Sequence, residues 1–179
     1  MSKSDLEKLI TNNLKSQIHP TTIYQEARAR SNRFGGLSKR LLMLHVDHFQ
    51  STITEKGRSK IVEAFSSEIT EVNEALLILV SVEKQDETSP ENVSKKTADE
   101  ITQLAQQLKV DTIILHPFAH LFGELSRPEM AIKTLKLTEV SIRQKGFKTI
   151  RTPFGWFNTI DIKAKGHPIS RVARIISAN

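Results

Sequence analysis

Apolar residues are distributed along this chain in two rhythms, short compact runs and longer amphipathic stretches, and the two alternate. Leu41-Leu42-Met43-Leu44-His45-Val46 and Ala75-Leu76-Leu77-Ile78-Leu79-Val80 are runs of the kind found in strands buried on both faces. Between them, residues 55–72 are charged and contain Gly57, which predicts a loop with a short irregular or helical piece. Ser89-Pro90-Glu91 supplies an N-cap, an N1 proline and a first-turn acid, and Val93, Ala98, Ile101, Ala105 and Leu108 then share one helical face, so residues 90–108 are expected to form a helix. Thr112 to His116 reads as a strand. A second helix should start at Pro128, capped by Arg127 or Ser126, and stop at Gly146. Phe147–Thr152 and Trp156–Lys163 read as two more strands separated by Pro153-Phe154-Gly155, with Ile160 and Ile162 alternating with polar neighbours. The predicted order is β-β-α-β-α-β-β, an α/β sheet covered by helices with some antiparallel pairing toward the end.

Ahead of this pattern, Ser4 with Glu7 makes a capping box, Leu6, Ile10 and Leu14 recur at helical spacing, and Gly35-Gly36 is a stop. Residues 1–38 are thus expected to be a basic helical extension of two short helices, and residues 39–179 the folded domain. A 179-residue chain with 38% apolar residues suits that division. No apolar run approaches membrane-spanning length and Met1-Ser2-Lys3-Ser4-Asp5 lacks a signal-peptide run, so a cytoplasmic protein without membrane contact is expected. Cysteine is absent, which removes disulfides, thiol nucleophiles and thiolate metal sites.

The net charge of +6 is unevenly placed. Residues 1–40 hold eight Lys/Arg against three Asp/Glu, residues 143–179 hold eight against the single Asp161, and the stretch between holds ten against sixteen. A phosphate backbone would be drawn to the two ends of the sequence and repelled by its middle.

Three segments leave strands with unusual composition: His116-Pro117-Phe118-Ala119-His120, Pro153-Phe154-Gly155-Trp156-Phe157 and Lys165-Gly166-His167-Pro168. Ligands in α/β sheets sit beside strand ends, although Pro, Gly and aromatic residues also serve turns and core closure. A zinc site is disfavoured. His45 and His48, three apart on a strand, should face opposite ways, and Pro117 breaks the His116/His120 pair as a helical ligand set. No nucleophile elbow, P-loop or dinucleotide fingerprint occurs.

From about Arg40 to Ile176 the chain resembles the tRNA-editing domain that archaeal threonyl-tRNA synthetases carry at their N-terminus. The resemblance rests on Leu44-His45-Val46-Asp47 as the opening strand, Ser81-Val82-Glu83-Lys84 as the end of the second, and the 117–120, 153–155 and 165–168 segments in the family's order. It implies the fold of D-aminoacyl-tRNA deacylases, usually homodimeric, and removal of serine wrongly attached to threonine tRNA. The resemblance assigns His120 to the family's active-site histidine, able to orient water or bind the terminal ribose. His45, Asp47, Val82, Pro117, Phe118, Ala119, Trp156, Phe157 and Asn158 are implied to line the adenosine and amino-acid pocket, with main-chain groups around Val82, Phe118 and Ala119. Lys84, Lys163, Lys165, His167 and Arg171 are implied to meet RNA. Ester hydrolysis there is expected to lean on main-chain donors and the 2′-hydroxyl of the terminal adenosine.

The chain also departs from the family pattern. A tyrosine pair followed by lysine is replaced by Trp156-Phe157-Asn158, a glutamate by Arg171, and a serine by Val46, so any ion pair between positions 158 and 171 is gone. The expected activity is that of a trans-acting deacylase on mischarged threonine tRNA. The alternative is a catalytically impaired relative that binds tRNA or a separate threonyl-tRNA synthetase. The family's synthetase core is not matched by any segment, so its ATP, magnesium and zinc are not expected, and no cofactor or metal is assigned.

Overall fold

The computed structural model describes residues 39–119, 121 and 124–176, with no side chain described at Lys39. The chain divides into two units, residues 1–35 and 36–179, and the described residues all belong to the second. The expected helices of residues 1–38, and His120, lie outside the described residues.

Six strands and two α-helices follow in the order β1 (Lys39–Lys56), β2 (Ile69–Ser81), a 3-10 turn (Lys84–Thr88), α1 (Pro90–Leu108), β3 (Thr112–Pro117), α2 (Pro128–Gln144), β4 (Lys148–Arg151), β5 (Trp156–Ala164) and β6 (Arg171–Ile176). They make one mixed sheet in the order β4-β3-β2-β1-β5, with β6 also paired to β1. β2, β3 and β4 are parallel, whereas β1 runs antiparallel to β2, β5 and β6. Antiparallel pairing therefore centres on the first strand, and the two strands flanking Pro153-Phe154-Gly155 lie at opposite ends of the strand order.

Two strands are longer or more numerous than the apolar runs indicate. β1 continues to Lys56 because Phe49, Ser51 and Ile53 alternate with polar residues, a half-buried period-two pattern instead of a continuous run. The 55–72 segment shrinks to an irregular connection over residues 57–68, with no helix in it. β6 is an edge strand whose arginines leave only Val172 and Ile176 to signal burial.

Each helix follows a parallel crossover in the same direction across the sheet, and right-handed crossovers then place both on one face. Accordingly Ala98, Ile101, Leu104 and Ala105 of α1 and Ala131, Leu135 and Ile142 of α2 share one core with Leu41, Met43, Leu76, Ile78, Val80, Ile113 and Leu115. Pro128 begins α2 behind an Arg127 cap, and Gly146 follows its end at φ +89. Ser89 precedes α1 but makes no side-chain capping bond.

The opposite face gathers Val46, Phe49, Val72, Ala75, Leu77, Leu79 and Ile114, with Leu42, Leu44, Phe118, Ile150 and Ile162 half-buried against them. Val46 and Phe49 are three residues apart yet share this cluster, as do Val72 and Ala75. The alternation slips at Asp47, which bulges against β5, and at Glu74, which adopts φ +50. The expectation that His45 and His48 face opposite ways fails for this reason, since a slip by one residue restores a three-apart pair to the same side.

Candidate functional site

The residues singled out from the sequence assemble into three neighbourhoods. At the carboxyl ends of β2 and β3, Phe118 N–H donates to the Val80 carbonyl at 2.8 Å, Ser126 N–H to the Val82 carbonyl at 3.0 Å and Lys84 N–H to the Glu124 carbonyl at 2.8 Å. Val82, Lys84, Pro117, Phe118 and Ala119 are thereby brought to one end of the sheet. The Val82 side chain belongs to the helical core, and its carbonyl and the Phe118 N–H are committed to the fold. Ser81 is 1% exposed and its hydroxyl has no hydrogen-bond partner.

Beside them Arg40 Nε lies 2.7 Å from Glu83 Oε1, and Glu83 N–H donates to Asp86 Oδ2 at 2.9 Å. Burial lifts the Glu83 carboxyl to about 7, Arg40 opposing and the Asp86 carboxylate reinforcing the rise. A raised carboxyl favours folding while protonated, so its contribution is full below the ordinary value near 4.5 and is lost as the pH rises through about 7. Glu83→Gln is expected to remove that decline, giving a flatter stability curve between pH 5 and 8. Urea midpoints at the two pH values measure it, and an undiminished decline in the variant would place its origin elsewhere.

The second neighbourhood surrounds His45. Because β5 pairs with β1 up to Val46 and β6 pairs with it from Leu44, the Lys165–Ser170 connection must turn around His45. Lys165 N–H donates to the His45 carbonyl and His45 N–H to the Ser170 carbonyl, both at 2.8 Å. The His45 ring is 2.8 Å from His167 Nε2 through Nδ1 and 3.1 Å from Glu74 Oε1 through Nε2. A carboxylate accepts only, so His45 Nε2–H donates to Glu74, which leaves Nδ1 of the neutral ring to accept from His167 Nε2–H. Lys165 Nζ lies 2.7 Å from Glu74 and 3.2 Å from Asp47, with Lys163 Nζ 3.9 Å from Asp47. Its hydrogen bond to Glu74, then that to Asp47, raises the Lys165 ammonium above its ordinary value, while Glu74 is correspondingly lowered by Lys165 and His45. Arg171 sits opposite Leu44 and is exposed.

The third neighbourhood is the start of β5. Trp156, Phe157 and Asn158 stand opposite Lys56, Glu55 and Ile53 of β1. Asn158 Nδ2 donates to the Trp156 carbonyl at 3.3 Å. Leu44 and Ile53, the partners of Arg171 and Asn158, are nine residues apart on β1, about 30 Å of extended chain. An ion pair between positions 158 and 171 of one chain is therefore excluded by register, whatever residues occupy them.

Sequence reasoning passed over the residue that organises this end. Glu63 in the 57–68 connection receives Arg151 through both terminal nitrogens, accepts the Phe154 N–H at 3.1 Å and, through its carbonyl, the Trp156 indole N–H at 2.8 Å. Burial would raise the Glu63 carboxyl, but the hydrogen bonds from Arg151 and Phe154 outweigh it and hold it below its ordinary value. Only a lone charge in a polar loop marks it in the sequence. His116, by contrast, is walled in against Phe49 and bonded to the Thr152 hydroxyl, and burial lowers its pKa to about 4, so it is a neutral structural imidazole at neutral pH.

No helix among the described residues is long and apolar enough to cross a membrane, and no cluster of three or more His, Asp or Glu among them is arranged to hold a metal ion.

A family model described as the archaea-specific editing domain of threonyl-tRNA synthetase matches residues 39–176, from the first residue of β1 to the last of β6. The chain is 37% identical over 139 residues to a threonine–tRNA ligase of Methanocaldococcus jannaschii and 37% identical over 139 residues to that of Thermococcus kodakarensis. It is 35% identical over 139 residues to that of Pyrococcus horikoshii. These alignments cover 76–78% of this chain but 22% of each relative, so the chain spans about a fifth of the length of the proteins it matches. The chain belongs to the archaea-specific editing domain family of threonyl-tRNA synthetase.

Proposed function

We propose that this protein proofreads threonine tRNA, hydrolysing the ester that joins a wrongly attached serine to the terminal ribose, and that it does so in trans. The observation that carries the reading is the extent of the family match, which coincides with the whole described sheet and both of its helices. Water adds to the ester carbonyl, the acyl C–O bond breaks, the ribose oxygen takes the proton, and serine and uncharged tRNA leave. His120 and the main chain beside Phe118 and Ala119 orient the water and the ribose. The Phe118 N–H is bound to the Val80 carbonyl, so a different donor meets the developing oxyanion.

Deacylation of threonine tRNA charged with serine, run beside the threonine-charged form, tests this. Serine is expected to be released and threonine retained, and His120→Ala should slow release by about a hundredfold if it acts on the water. Asn158 and Arg171, standing where the family has lysine and glutamate, favour a second reading in which the fold binds tRNA without hydrolysing it. Bound tRNA with no serine released at enzyme in excess selects that reading and ends the first.

A further inference from the structure

We infer that the 56–60 segment and the aromatic side chains beside it form a docking surface for single-stranded RNA, the unpaired 3′ end of the tRNA that the proofreading reading requires. Lys56, Arg58 and Lys60 are all exposed and stand within five residues of one another, in the part of the sequence whose overall balance is acidic. No ion pair involving any of them occurs among the described residues. They are also held in place. Gly57 N–H donates to the Gly155 carbonyl at 2.9 Å, Glu63 N–H to the Phe154 carbonyl at 3.0 Å, and the Ser59 hydroxyl to the Ile61 carbonyl at 2.6 Å.

The same contacts set the cations against aromatic rings. Lys56 is the cross-strand partner of Trp156, so the two side chains leave the same face of the sheet. Phe65 meets Trp156 edge to face at 4.9 Å and is 38% exposed. Cations that track a phosphate backbone beside rings on which bases can stack are the two components of single-strand recognition, and neither requires a particular sequence. The neighbouring acids are Glu55, opposite Phe157, and Glu68, whereas Glu63 is already neutralised by Arg151 and Lys136. Charge repulsion from Glu55 thus falls on the face away from Lys56, which directs the strand across Trp156 and Phe65.

The test uses the full chain with an uncharged threonine tRNA transcript and the same transcript trimmed of its unpaired 3′ nucleotides. Trp156, the only tryptophan, reports binding by fluorescence. A variant carrying Lys56→Gln, Arg58→Gln and Lys60→Gln should bind the intact transcript about tenfold more weakly, with the salt slope reduced by about 2. The trimmed transcript should bind the wild-type chain weakly and show little further loss in that variant. Phe65→Ala should weaken binding about tenfold with the salt slope unchanged, because stacking releases no counterions. Wild-type affinity and slope in the triple variant would overturn the surface while leaving proofreading standing, and would turn attention to an acidic protein partner. An equal loss on intact and trimmed transcripts would overturn the single-strand assignment. A wild-type chain that binds neither transcript would overturn both this surface and the proofreading reading.

Discussion

Arg151→Ala is expected to cost roughly 3 kcal/mol of folding stability. The Arg151 side chain is 12% exposed and lies between Glu63 and Glu139, themselves 13% and 15% exposed. It binds Glu63 through both terminal nitrogens and Glu139 through Nε at 2.9 Å. Truncating it leaves two half-desolvated carboxylates facing one another's field, with only Lys136 at 3.6 Å from Glu63 and Arg143 at 2.7 Å from Glu139 in compensation. A surface ion pair would be worth at most about 1 kcal/mol, so the two cases separate clearly. Urea denaturation of Arg151→Ala, Glu63→Gln and the double variant measures this, and the double should be less destabilised than the sum because the orphaned charge is gone. The pH dependence has a definite sign. The lowered Glu63 carboxyl contributes stability above its unfolded value near 4.5 and loses it as pH falls through the folded value, so acidification should hurt the wild type more than Arg151→Ala. A loss below 1 kcal/mol at neutral pH would show that solvent screens the network.

Gly155→Ala is expected to cost about 2–3 kcal/mol. Gly155 has φ +91, a region that side chains rarely enter, and a Cβ there would lie 2.9 Å from the Ile61 carbonyl oxygen and 2.8 Å from Val62 Cγ1. Across the same contact, a Cβ on Gly57 would lie 2.6 Å from the Gly155 carbonyl oxygen. Two backbones touch here, and neither can retreat without giving up the Gly57–Gly155 and Glu63–Phe154 hydrogen bonds. Gly146 provides the control. Its φ is +89, but nothing lies within 4 Å of its Cβ position, so Gly146→Ala should show the conformational cost alone, about 1 kcal/mol. Thermal melts of the two variants separate strain from collision, and equal losses would mean that the packing contact contributes nothing.

The helices were legible in the sequence because their information is local. Pro90 and Pro128 fix where each begins and the apolar spacing fixes the buried face, and Val93, Ala98, Ile101 and Ala105 are indeed buried. Runs such as 75–80 and 112–116 declared themselves strands because helices cover one face and the second core the other. The far half of β1 and all of β6 did not, since an edge or half-exposed strand carries polar residues that read as loop. Segment-averaged charge hid Lys56, Arg58 and Lys60 inside an acidic stretch. Nor could spacing show that the connection holding Glu63 returns to Arg151 and Trp156, about ninety positions later. The candidate site was readable as a set of residues, but not as three separate neighbourhoods along one long strand.

That strand also sets an order of events during synthesis. β1 finds β2 at once as a local hairpin, but its other edge is completed by β5 and β6, which begin at Trp156 and Arg171. At roughly 5–20 residues per second, a nascent chain carries that open edge for on the order of ten seconds before its partners have been translated. An unpaired edge is a template for pairing with other chains. The ribosome-bound intermediate is therefore open to pairing along that edge, and slowing translation between β2 and β5 should lower soluble yield more than the same pause after β6.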